Sequence, residues 1–77
     1  MARKILDDDL RSWEAFANTG PYGFADRGAV VFHCTTDPTE RPRSCPVPGD
    51  KSDAELLLAR ASRAELVGLF GQALPLR

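Results

Sequence analysis

The chain is poor in the residues that most often carry chemistry: among 77 residues it has one histidine, two cysteines, one tryptophan and one tyrosine. Zinc binds four ligands in tetrahedral geometry, so one histidine and two cysteines would need a carboxylate to complete a site. The sequence has no phosphate-binding glycine loop, no zinc-protease motif and no dinucleotide fingerprint. It shows no nucleophile at a recognisable spacing from an orienting base. We therefore predict a non-enzymatic protein with no catalytic residue, no metal and no cofactor.

Charge of one sign and long apolar runs are also lacking. Ten basic and eleven acidic side chains give a net charge of -1, without the clustered basic face that phosphate neutralisation requires. No apolar run approaches the ~20 residues of a membrane span, and acidic residues follow the basic start where a signal peptide needs an apolar stretch. We expect a cytoplasmic protein with one globular domain over residues 1–77 and no membrane partner. Nucleic-acid binding through Arg41 and Arg43 is the weaker alternative.

The first fifty residues have the pattern of an antiparallel sheet. "GAVVFHCTT", residues 28–36, is rich in β-branched and aromatic residues and predicts a strand. "RSWEAFAN", residues 11–18, also fits a capped helical stripe, and we favour a strand. With "RKIL" before it, the aspartates at 7–9 would form the turn of an N-terminal hairpin, because their side chains bond to nearby backbone.

Two consecutive helices are predicted after the sheet. Capping boxes of the form Ser-x-x-Glu begin at Ser52 and Ser62. Helices over 53 to about 61 and 63 to about 73 explain both boxes, and Pro75 prevents continuation. A single kinked helix is the alternative.

The second helix has a stripe that must be buried, formed by Leu66, Leu69, Phe70 and Ala73. Two glycines weaken this helix by about 1 kcal/mol each, so it needs packing against a sheet. The sequence therefore predicts an α+β fold. We expect a small antiparallel β-meander of three or four strands, covered on one face by two consecutive C-terminal helices.

The two cysteines lie on segments that we expect to pair as a hairpin, with Cys34 directly opposite Cys45. Side chains alternate along a strand, so His33 points away from Cys34 and the adjacent pair makes poor metal ligands. We expect two buried, reduced thiols that act as small apolar groups. The prolines at 46 and 48 lack amide hydrogens on one side of their strand, which predicts a sheet edge facing solvent. The alternative function is a small thiol redox or metal-responsive protein that uses Cys34 and Cys45.

A ten-residue connection, "TGPYGFADRG" at 19–28, offers candidate binding residues. Connections of this length are often functional, and aromatic residues and arginine are enriched at binding hot spots. Tyr22, Phe24 and Arg27 are therefore the predicted binding residues. The alternative is that both rings fold back over the sheet and enlarge the core.

Three consecutive leucines at 56–58 sweep about 200° of a helix at ~100° per residue, so one of them should remain exposed. An exposed leucine beside other apolar groups could complete an interaction patch. We therefore expect an interaction or regulatory module that binds an unidentified protein partner, with a homodimer through the helix face as one form.

Overall fold

The computed structural model describes residues 2–19 and 28–75, and it shows the α+β architecture that the sequence predicts. Five strands form one antiparallel sheet in the order β1-β2-β3-β4-β5. The strands are β1 (Arg3–Leu6), β2 (Ser12–Thr19), β3 (Gly28–Cys34), β4 (Arg43–Val47) and β5 (Leu74–Pro75), and the helices are α1 (Lys51–Arg60) and α2 (Arg63–Gln72). Neither helix in the described ranges is long and apolar enough to cross a membrane.

The β1–β2 hairpin confirms the strand interpretation of residues 11–18. Trp13 and Ala15 are fully buried and alternate with half-buried residues, which is the period of a strand packed on one face. The aspartate turn is also confirmed, because Asp7 Oδ1 accepts hydrogen bonds from the backbone amides of Asp9 and Arg11. This carboxylate therefore acts as the local backbone partner that the sequence predicted.

The two helices pack on one face of the sheet, α1 over β2 and β3, and α2 over β1 and β4. The core between the layers includes Trp13, Val30 and Phe32 from the sheet and Leu58 and Leu66 from the helices. Burial of these apolar side chains is the main term that holds the two layers together.

A polar contact fixes the junction of the helices against the edge strand. Arg3 Nη1 donates to the carbonyl oxygens of Leu58 at 2.9 Å and of Ala61 at 3.0 Å. Leu58 lies in the last turn of α1 and Ala61 is its C-cap residue, where carbonyl groups lack intrahelical donors. The guanidinium of β1 therefore caps α1 across the interface.

The structure has two separate helices, as predicted, but the first one begins earlier than the sequence indicated. Ser62 caps α2 through the expected capping box with Glu65. The N-cap of α1 is Asp50, which forms a capping box with Asp53, so the assignment of Ser52 as the cap was wrong. An aspartate caps a helix as well as a serine does, so the sequence did not distinguish Asp50 from Ser52 as the N-cap residue.

The predicted register of β3 against β4 was wrong by four residues. Cys45 lies opposite Val30, whereas Cys34 lies opposite Trp13 of β2. The end of β3 is tied to β2, because the amide of Thr35 donates to the Ser12 carbonyl at 2.9 Å. An even shift keeps every side chain on its expected face, so both cysteines still point towards the helices.

The prediction that the prolines mark a free sheet edge holds for only part of β4. The short strand β5, which the sequence did not predict, pairs with Arg43 and Ser44. Beyond Ser44, Pro46 and Val47 have no further described strand on that side. The outermost strands of the sheet are β1 and β5.

Candidate interaction surfaces

The three residues predicted to bind a partner, Tyr22, Phe24 and Arg27, lie outside the described residues. β2 ends at Thr19 and β3 begins at Gly28, so only the two ends of this connection are described. The role of the three residues stays a prediction.

Both thiols lie in the core. Cys34 is 2% exposed and Cys45 is 5% exposed, and neither forms a disulfide. Burial raises the pKa of the Cys45 thiol, which disfavours the reactive thiolate. His33 is exposed on the opposite face of the sheet. Within residues 2–19 and 28–75, no group of three or more His, Cys, Asp or Glu side chains could hold a metal ion.

The leucine triplet of α1 divides as predicted. Leu58 is buried, Leu57 is half-buried and Leu56 is 54% exposed. Leu57 forms part of a depression of about 260 Å³ between the two helices, which we call the helix groove. The groove is lined by Leu57, Ala61, Glu65, Gly68, Leu69 and Gln72.

Two glycines of α2 are not required by the packing of the chain. A Cβ placed on Gly68 or on Gly71 would meet no atom within 4 Å. A glycine inside a helix costs roughly 1 kcal/mol relative to alanine. Gly68 lies in the helix groove, whereas Gly71 does not line it. The groove therefore contains a notch that nothing in the described part of the chain fills.

At the other side of α2, an arginine lies over two aromatic rings. Phe70 packs against Trp13 with ring centroids 4.9 Å apart and against Phe32 at 5.3 Å. The Cζ atom of Arg43 lies 5.0 Å from the Trp13 centroid and 4.7 Å from the Phe70 centroid. We call Arg43, Trp13 and Phe70 the arginine platform.

A second arginine, Arg11, joins the hairpin turn to the β3–β4 connection. It forms ion pairs with Asp7, Asp9 and Glu40. Asp7 also accepts a hydrogen bond from Trp13 Nε1 at 2.8 Å. Burial acts to raise the pKa of Asp7, but the hydrogen bonds from Trp13 and Arg11 outweigh it and lower the pKa from 3.8 to about 2. This cluster joins the hairpin turn to the β3–β4 connection and keeps Asp7 ionised.

Sequence reasoning missed the arginine platform, because Arg43 was considered only as a surface cation. A usable signal was present: Arg43 precedes Cys45 by two residues, so strand alternation places it on the core face. A charged residue on that face needs a compensating environment. Comparison with known proteins adds no candidate, since no protein-family model, no curated protein and no solved structure matches this chain.

Proposed function

We propose that this chain is a non-enzymatic protein-interaction module that self-associates through the helix groove. The observation that carries the proposal is the order of the groove residues along α2. When two copies of α2 are placed antiparallel about the midpoint between Gly68 and Leu69, each of the four groove residues on α2 meets another one. Leu69 of one copy faces Gly68 of the other, and Glu65 faces Gln72. A twofold dimer requires such a self-complementary surface.

The two facing pairs are chemically compatible. The Leu69 side chain would enter the notch above Gly68, where no Cβ stands in its way. The Gln72 amide would donate to the Glu65 carboxylate of the other copy, which is a charge-assisted hydrogen bond. The half-buried side chain of Leu57 flanks these contacts and would be removed from water on association, beside the already buried Ala61.

The dimer would also account for the glycine at the centre of the groove. Gly68 weakens the isolated helix, and no contact within the described chain compensates for it. Close approach of a second helix is a known reason for a small residue at such a position, since van der Waals packing improves as the helices approach. The buried thiols offer no comparable support for the redox alternative.

Sedimentation equilibrium at several protein concentrations tests the proposal. We expect the apparent mass to rise from the 8.4 kDa of the monomer towards twice that value. Gly68→Gln should weaken association by about tenfold or more, which corresponds to ~1.4 kcal/mol, because the new side chain fills the notch. Gly71→Gln is the matched control: it adds the same side chain to the same helix outside the groove, and association should be unchanged.

Circular dichroism of both variants provides the folding check, since glutamine is the better helix former and both should keep their helical signal. A wild-type mass that stays at 8.4 kDa up to millimolar concentration would refute the proposal. Equal weakening by both substitutions would also refute it, because the effect would then not depend on the groove.

A further inference from the structure

We propose that Arg43 anchors a site for an oxyanion, and that the oxyanion is a carboxylate supplied by a partner protein. Three arginines of the described chain are half-buried: Arg3, Arg11 and Arg43. Arg3 donates to two helix carbonyls and Arg11 pairs with three carboxylates. Arg43 is the exception, since it has no hydrogen-bond acceptor and no acidic partner in residues 2–19 and 28–75.

The arginine platform holds this guanidinium in a fixed place. Contact with the Trp13 and Phe70 rings stabilises the cation through the ring quadrupoles without supplying an oxygen acceptor. The N–H groups of Arg43 have no acceptor within residues 2–19 and 28–75, so they remain available as donors to a ligand. A side chain that is already ordered loses less entropy when it binds, so the platform favours a ligand that these donors can reach.

Nothing in the described surroundings competes for Arg43. The strand neighbours directly opposite it are Phe32 and Pro75, which carry no charge. Asp7 and Glu40 are already held by Arg11. A half-buried cation without an acceptor gains most from a negatively charged ligand, because its hydration is incomplete.

The arrangement of the Arg43 donors indicates the class of ligand. Guanidinium presents parallel N–H donors that match the two oxygens of a carboxylate. The half-buried Phe70 ring leaves apolar surface for the stem of a glutamate side chain, whereas Trp13 is fully buried. The site belongs to β4 and to the Phe70 side of α2, and neither Arg43 nor its two rings line the helix groove. It is therefore independent of the proposed self-association.

Trp13 provides a built-in reporter, because it is the single tryptophan of the chain and its ring contacts Arg43. The experiment titrates the full chain with acetylated triglutamate peptide and follows tryptophan fluorescence and the Arg43 Nε–H resonance. Acetylated triglutamine is the uncharged control, and inorganic phosphate is the competing oxyanion. We expect saturable changes with triglutamate, no response to triglutamine, and weaker binding of phosphate.

Variants separate the site from general charge attraction. Arg43→Met keeps apolar contact with the rings and should weaken triglutamate binding by tenfold or more, and Arg43→Lys should also weaken it because the paired donors are lost. Arg41→Met removes one exposed positive charge two residues away and should leave binding within about twofold. Equal losses in the Arg41 and Arg43 variants, a response to triglutamine, tighter binding of phosphate, or no response at all would each overturn the carboxylate site. Sedimentation of the same samples reports on self-association separately.

Discussion

Replacement of Gly28 by alanine tests how the sheet and α1 are joined. Gly28 begins β3, and its backbone amide donates to the carbonyl of Gly49 at 2.9 Å. A Cβ at this position would lie 2.2 Å from the carbonyl oxygen and 2.7 Å from the carbonyl carbon of Asp50. Both are backbone atoms of the residue that caps α1, so no side chain can rotate away to relieve the overlap.

The size of the effect follows from two terms. Overpacking of a tight contact costs about 1–3 kcal/mol. Displacement of the Asp50 cap adds part of the ~0.5–2 kcal/mol that an N-cap contributes. We therefore expect Gly28→Ala to lower the free energy of unfolding by about 1–4 kcal/mol. A domain of this size loses about 4–8 °C in Tm per kcal/mol, so the shift should exceed about 4 °C.

Thermal and urea unfolding followed by circular dichroism would measure the change. Gly68→Ala is the matched control, because a Cβ there meets no atom within 4 Å and alanine is the better helix former. It should raise the stability of the monomer by up to about 1 kcal/mol when measured at low protein concentration. If both substitutions changed the free energy of unfolding in the same direction, the close approach of β3 to the Asp50 carbonyl would not be what restricts residue 28 to glycine.

Three further changes have defined outcomes. Ser62→Ala should cost ~0.5–2 kcal/mol in urea unfolding because Ser62 caps α2, whereas the exposed Ser52→Ala should stay within about 0.5 kcal/mol; equal effects would contradict the assigned caps. Ser44→Ala should stabilise the protein by about 1 kcal/mol, since the buried Ser44 hydroxyl has no hydrogen-bond partner in the described chain, and a clear loss would mean that the hydroxyl is paired. Because the pKa of Asp7 is lowered to about 2 in the folded protein, the unfolded chain binds a proton at this carboxylate at a higher pH than the folded protein does. The stabilising contribution of the Asp7 carboxylate is therefore complete above about pH 4 and is lost as the pH falls towards 2. In Asp7→Asn, the free energy of unfolding measured with urea should therefore fall less between pH 5 and pH 2 than in the wild type. An unchanged pH dependence would contradict the hydrogen bonds of Asp7 with Trp13 and Arg11.

The alternation of residues along the two cysteine-bearing strands was enough to predict which side of β3 and β4 faces the helices. Phe32, Cys34 and Cys45 all lie on the helix-facing side, although the pairing of β3 with β4 differs from the prediction. The face on which a side chain lies depends only on whether its position in the strand is odd or even, so a shift of four residues in the pairing does not change it. The stripe of α2 was predictable for the same reason, because its period is a local property.

Register and the arginine platform depend on contacts that are distant in sequence. The hydrogen bond from the Thr35 amide to the Ser12 carbonyl joins the end of β3 to β2, and no local pattern reports it. Arg43 meets Phe70, which lies on another element far along the chain, only when α2 packs on the sheet. Such contacts follow from the assembled layers rather than from the residues next to them in the chain.

The contact between Arg3 and the end of α1 has a consequence for the order in which the protein folds. Its two hydrogen bonds join residues 55 and 58 positions apart in the chain. Closing so long a loop costs chain entropy before the contact can stabilise the protein. Contacts of this kind slow folding relative to a protein with mainly local contacts. During synthesis, β1 cannot reach its carbonyl partners until residue 61 has left the ribosome. We therefore expect the Arg3 side chain to become ordered only after the β1–β2 hairpin has formed and α1 has packed on the sheet, even though β1 is made first.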